Sequence, residues 1–369
     1  MTKNLFGLEI DVRASQLAGF ALLMKAYADD REIFKKGIKS NVICLKSGDG
    51  AGSHFKEAKE LIELFENTKT FGSLIRIPEE LQKKLTAIEK VLEKKKAGDI
   101  FEQKDAENVE VLLRQAEILF KRYDCVIANP PYMGSKGMNE ILKDFAKTQY
   151  PSTKSDLFAM FIERGFNMAK KDVGYNSMIT MESWMFLHSY AYMRKELLAK
   201  SSLLKLVHMP YEGRGRTSLG INFGTTASVF QNTYFPEING FFIFIRFSDI
   251  DGNGVPKEFP IKNDRLGSHR IKNFEKIPDN IFAYWISEKI RMVFNGNRFP
   301  DGDDGNKTGD TGELLRFFWE ISTKDDKWIK YTKGGDFRKW YGNVLHVLRF
   351  DKKAVDYMVN NKTSRLLPV

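Results

Sequence analysis

Tyr123-Asp124-Cys125-Val126-Ile127-Ala128-Asn129-Pro130-Pro131-Tyr132 is the stretch on which the reading of the fold turns. Residues 123–128 form a nearly continuous apolar run, the pattern of a strand buried on both faces of a parallel sheet. The next four residues change the chemistry abruptly. Two consecutive prolines fix φ and remove two backbone donors, and the first biases the residue before it away from the helical region. The strand must therefore stop, and Asn129 must hold a rigid aim. Ligands of open α/β sheets bind at the carboxyl ends of strands, so Asn129, Pro130, Pro131 and Tyr132 are the leading candidates for chemistry. A rigid turn without chemistry is the competing reading.

Toward the amino terminus, residues 5–11 read as a short strand ending in the acids Glu9 and Asp11, residues 13–24 as a helix and residues 41–45 as a second strand. Apolar strands joined by helices indicate an α/β fold. Between residues 53 and 122 the pattern changes: Leu81, Leu85, Ile88 and Leu92 recur at helical spacing among many lysines and glutamates, which predicts a helical insert. Its lysine runs read as solvated helix faces. Beyond the prolines, a helix is expected over 156–170 and strands over 177–180, 203–208, 227–231 and 240–247. From about residue 260 the chain becomes loop-rich and charged, so the expected division is 1–265 and 266–369. No internal repeat is present.

The 369 residues are 42% hydrophobic and 13% aromatic, enough for a real core, and 58 basic against 48 acidic side chains leave a formal charge of 58 − 48 = +10. That excess favours a polyanionic partner. No apolar run approaches the roughly 18 residues of a membrane span, and no secretory signal core is visible. Cys44 and Cys125, the only two cysteines, each lie within an apolar run, which points to reduced core thiols in a cytoplasm and excludes a disulfide framework. The five histidines lack ligand spacing, and the Asp301-Gly302-Asp303-Asp304 tract lacks the glycine and terminal glutamate of a calcium loop, so no metal is expected.

What Asn129-Pro130-Pro131-Tyr132 suits is an exocyclic amine. An amide oxygen and a backbone carbonyl that accept both hydrogens of adenine N6 favour a nitrogen whose lone pair faces an electrophile, and no strong base is required. Tyr132 offers a flat face to a base taken out of the duplex stack.

This tetrapeptide resembles the catalytic motif of N6-adenine methyltransferases. With Leu5-Phe6-Gly7-Leu8-Glu9-Ile10-Asp11 and Lys333-Gly334-Gly335-Asp336-Phe337-Arg338-Lys339-Trp340-Tyr341-Gly342-Asn343, it resembles the large PglX-type methyltransferases of BREX phage-resistance systems over most of the chain. The resemblance implies a class I, Rossmann-like sheet and S-adenosyl-L-methionine as cofactor. It implies methyl transfer to adenine N6 in double-stranded DNA within a restriction-modification or phage-defence system, alongside other defence proteins. Glu9 would bind the cofactor ribose and Ile10 its adenine; read alone, Glu9 or Asp11 is equally a helix N-terminal acid. Phe223 is placed like the aromatic that stacks on the flipped base, or is a core ring. Arg214 and Arg216 suit phosphates, or are a solvated loop. Lys333, Arg338 and Lys339, interleaved with aromatic residues, suit a nucleic-acid backbone at the start of a target-recognition region, or cover a small aromatic core.

The resemblance also implies an omission. Family members begin with a strand and a glycine-containing loop that correspond to nothing in this sequence. That strand would lie between the strands of residues 5–10 and 123–128, leaving two unpaired edges. The expectation is therefore a piece of a larger enzyme, completed by a separate polypeptide or surviving as a remnant. Methylation of RNA guanine or protein glutamine, and non-catalytic binding of DNA or a partner, are the rival readings.

Overall fold

The computed structural model describes residues 3–49, 55–96, 100–211, 223–252, 255–294, 310–322, 325–336, 338 and 342–360. The chain divides into two units, Met1–Asn295 and Gly296–Val369.

In the first unit, the apolar run near the amino terminus forms β1 (Phe6–Glu9) and leads into α1 (Val12–Asp29), then β2 (Asn41–Cys44). β1 and β2 pair in parallel, Phe6 opposite Asn41 and Glu9 opposite Cys44. The expected helical insert follows as α2 (Lys59–Leu64), α3 (Thr68–Phe71), α4 (Glu79–Lys95) and α5 (Ile100–Phe120). Its core is the predicted stripe: Leu81, Leu85, Ile88 and Leu92 bury against a group including Val109, Leu112 and Ala116.

The sheet pattern resumes with β3 (Cys125–Ala128), α6 (Glu140–Gln149), α7 (Leu157–Met168), β4 (Tyr175–Met181), α8 (Ala191–Lys200), β5 (Ser202–Met209), β6 (Thr225–Gln231), β7 (Asn239–Phe244), β8 (Gly267–Arg270) and α9 (Glu288–Phe294). Six strands form one mixed sheet in the order β3-β4-β6-β5-β7-β8. β3 runs parallel to β4, β6 is inserted antiparallel between β4 and β5, β7 is parallel to β5, and β8 closes the far edge antiparallel. Leu206, Phe230, Phe242 and Trp184 are among its fully buried core. The boundary read near residue 265 falls inside this unit, because Ile271, Phe274, Phe282 and Tyr284 join the same core.

β1 and β3 belong to different sheets, and among the described residues each pairs with one strand only. Between them lies a cleft of about 280 Å³ lined by Phe6, Gly7 and Leu8 on one side and by residues 125–128 on the other. Ile127 is 77% exposed. Cys125, expected in the core, is exposed and Cys44 half-buried, since the strand edges that carry them are not covered. The insert is latched to the main sheet by polar contacts. Arg164 of α7, 4% exposed, donates from Nε to the Ser73 carbonyl and from Nη2 to the Leu119 carbonyl, both at 2.8 Å. Burial pushes its guanidinium down to about 10. The Tyr150 hydroxyl donates to the Leu74 carbonyl at 2.6 Å, and Arg76 pairs with Glu163 at 2.6 Å.

The second unit contains α10 (Thr311–Leu314), β9 (Leu315–Phe317), β10 (Trp328–Tyr331), β11 (His346–Arg349) and α11 (Lys352–Asn360). Its strands form an antiparallel sheet in the order β10-β11-β9 over a small core of Leu314, Leu315, Leu348, Ala354 and Met358. Among the described residues no helix is long and apolar enough to cross a membrane.

Candidate active site

β3 ends at Ala128, and the two prolines act directly after it. Pro130 is buried while Asn129 and Pro131 are exposed, so the turn is anchored by its first proline and presents the amide to solvent. Tyr132 folds back beneath the strand end. Its hydroxyl oxygen lies 3.1 Å from Asn129 Oδ1 and 3.3 Å from the Ile179 carbonyl of β4. One proton serves one acceptor at a time, and an amide oxygen carries two lone pairs, so Asn129 retains acceptor capacity for a further donor. Burial pushes the Tyr132 hydroxyl above the ordinary phenol range, which keeps it protonated.

The chain after Tyr132 is clamped by a residue the sequence reading did not single out. Asp156, the N-cap of α7, accepts from the Phe158 N–H at 3.2 Å and from the Met133 N–H at 3.1 Å. The Leu157 N–H in turn donates to the Met133 carbonyl at 3.1 Å. Burial raises the Asp156 carboxyl, with the backbone N–H groups opposing the shift. An aspartate immediately before an apolar helix was the available signal.

Phe223 does come to Tyr132, although 91 residues separate them by number (223 − 132). The rings meet edge to face, with centroids 5.2 Å apart and planes at 90°. A flat base held between parallel rings needs about 7 Å, twice the carbon–carbon contact distance, so this pair is a closed contact rather than an open slot. The backbone that carries Phe223 is fixed from behind. Glu182 N–H donates to the Gly224 carbonyl at 2.9 Å, and a Cβ at Gly224 would come within 2.2 Å of the Glu182 carboxylate. That carboxylate lies 2.6 Å from His208 Nε2, and His208 Nδ1 lies 3.1 Å from the Tyr284 hydroxyl. Sequence reasoning missed this chain because its members come from β5 and two distant turns.

At the carboxyl end of β1 the two acids divide the labour. Asp11 caps α1, its Oδ1 accepting from the Ala14 N–H at 2.8 Å. Glu9 instead curls around the strand end, Oε1 accepting from the Ile10 N–H at 2.7 Å and the Asp11 N–H at 3.1 Å. Ile10 is 45% exposed, and Lys69 of the insert donates to its carbonyl. Gly72, at φ +54°, leaves room for Ile10: a Cβ there would meet its Cγ2 at 3.1 Å.

Arg214, Arg216 and Lys339 lie outside the described residues. Lys333 and Arg338 are exposed and belong to the second unit. Among the described residues no group of three or more His, Cys, Asp or Glu side chains gathers that could hold a metal ion.

The model of the Eco57I restriction-modification methylase family matches residues 3–214. The adenine-specific methyltransferase BrxX of Escherichia coli O9:H4 (strain HS) is 34% identical over 415 aligned residues, which take in 99% of this chain and 34% of that protein. The adenine-specific methyltransferase PglX of Lacticaseibacillus casei (strain Zhang) is 31% identical over 411, or 99% of this chain and 33% of that protein. The chain thus spans about a third of the length of these relatives. Among solved structures, the type IIG restriction endonuclease BpuSI is 15% identical with a TM-score of 0.34, covering 65% of this chain and 28% of its own.

Proposed function

The chain belongs to the Eco57I restriction-modification methylase family, and on that premise we propose that it carries the target-base half of an enzyme that methylates adenine N6 in double-stranded DNA for phage defence. The observation that carries the reading is the exposed Asn129 amide, held at a strand end by a buried proline and oriented by the Tyr132 hydroxyl. Asn129 Oδ1 and the Pro130 carbonyl accept the two amine hydrogens of an extruded adenine, which turns the nitrogen lone pair outward. Pro131 holds the turn rigid. Tyr132 and Phe223 clasp the base once their edge contact opens into a parallel pair.

The residues at the end of β1 fit S-adenosyl-L-methionine by their chemistry. Glu9 has a carboxylate able to accept ribose hydroxyls, and Ile10 offers an exposed apolar surface to a purine. When bound, the cofactor supplies the methyl group. Arg214, Arg216, Lys333, Arg338 and Lys339 contact the DNA backbone, the last three at the start of a target-recognition region.

The cleft between β1 and β3 takes a further strand that none of the described residues supplies. Two strand edges that find no further strand among the described residues and a 77% exposed isoleucine flank it, and a strand pairing with both would satisfy their backbone groups and cover the side chain.

Product identity tests the reaction. The chain, co-expressed with the segment that completes it, should yield N6-methyladenine by mass spectrometry of DNA digests, and Asn129→Ala should lower the yield by about 10²–10³-fold, as loss of a preorganised polar contact does. Methylated guanine in RNA or methylated glutamine in protein would replace this reading with another substrate.

A further inference from the structure

Beyond the tetrapeptide the chain builds a basic groove. The Ser135 N–H donates to the Ser155 carbonyl at 3.1 Å and Gly134 bridges to Asp156, which zips the segment after Tyr132 to the start of α7. That pairing brings Lys136 and Lys154, from separate turns, to one opening. Lys143 and Lys147 of α6, four residues apart and so on one helix face, complete it. These four lysines, with Ser135 and Ser155, line a groove of about 460 Å³.

No acidic side chain lines the groove. Glu140 and Asp144 pair with Lys143 and Lys147 at 2.8 and 3.0 Å, and both acids are strongly exposed. Lys136 and Lys154 have no ion-pair partner among the described residues. Four cations against two carboxylates leave a local excess of 4 − 2 = 2 positive charges. Lysine and serine are ordinary partners of backbone phosphates, and a concave cationic surface concentrates a polyanion.

We propose that this groove holds backbone phosphates of the DNA strand beside the extruded nucleotide. It lies three residues past Tyr132 in the chain (135 − 132), on backbone clamped by the same Asp156 that fixes Met133. The proposal rests on the adenine-methylation reading for its choice of duplex DNA. The groove sets register without reading sequence, so its contribution is equal for every duplex and falls with salt.

The test is a salt series of fluorescence anisotropy with labelled duplex DNA and the completed enzyme. Each phosphate contact contributes about 0.9 to the slope of log affinity against log salt. Lys136→Gln with Lys154→Gln should therefore reduce the slope by about 2, and the four-lysine variant by about 3 to 4, equally on unrelated duplexes. Lys84→Gln, on the insert and paired with Glu60, should leave it unchanged. The lysines are at the surface and the two i,i+3 pairs are each worth little, so the melting temperature should hold within a few degrees. A four-lysine variant with the wild-type slope overturns the groove, as does a wild type that does not bind duplex DNA. If adenine is still methylated while the slope is unmoved, the groove alone falls. If the slope drops but another product forms, the reaction alone falls.

Discussion

β5 and β3 belong to one sheet and carry similar apolar side chains, yet Leu206 of β5 is fully buried while Ile127 of β3 is 77% exposed. Neighbours make the difference. β5 is flanked by β6 and β7, whereas β3 has β4 on one side and the cleft on the other. An apolar run records the surroundings a strand is built for, and at β3 those surroundings are only half supplied by the described residues. The same holds for β1, which is half-exposed throughout and pairs with β2 alone.

The comparison is broken most forcefully at the latch that joins the two halves across the open edge. Arg164→Met should cost about 3 kcal/mol or more in chemical denaturation, because two charge-assisted hydrogen bonds disappear and a buried and a half-buried carbonyl lose their donor. A loss below about 1 kcal/mol would mean that the apolar contacts of the insert hold the halves together without it. The second test sets the strands against each other. Leu206→Ala should cost about 2–5 kcal/mol wherever it is measured. Ile127→Ala should stay within about 0.5 kcal/mol in the chain alone and become markedly more costly once the cleft is filled. Equal costs for Ile127→Ala in both states would show that nothing seats against β3.

The smallest effect is expected at the closed edge, on β8. Burial first, then Arg291, holds His269 below its ordinary value of 6.5. Above that value the ring is neutral in both folded and unfolded chains. As pH falls through it toward the lower folded value, the unfolded chain takes up a proton that the folded chain resists, so this stability is lost at acid pH. His269→Phe, filling the space beside Phe242 and Tyr284, should flatten the fall in melting temperature between neutral and mildly acid pH. An unchanged profile would remove His269 from the balance.

Much of this was legible in residue patterns. Pro130 and Pro131 dictate that β3 stops at Ala128, and the Leu81 to Leu92 spacing dictates a helix with one buried face. The order of strands was less accessible, because the apolar run of β6 reads the same in either direction and nothing local announces its insertion between β4 and β5. Arg164 was invisible for a different reason. An arginine in an apolar helix looks like a surface residue until the Ser73 and Leu119 carbonyls are brought to it from the insert. At the site, Asn129 and Tyr132 were readable as neighbours in sequence, whereas the contact of Tyr132 with Phe223 depends on the Glu182 and His208 chain beneath it. The core reading of Cys125 failed because it assumed a covered strand, and β3 faces the cleft.

The central claim is that the turn after β3 acts on adenine when the gap beside β3 is filled. Its most direct measurement is N6-methyladenine formed on duplex DNA by the 369-residue chain, with and without a co-expressed segment that supplies the strand. The account predicts methylation with the segment and little or none without it. A complex that melts higher than the chain alone, shows β3 amides newly protected from exchange, and still leaves adenine unmethylated would contradict it.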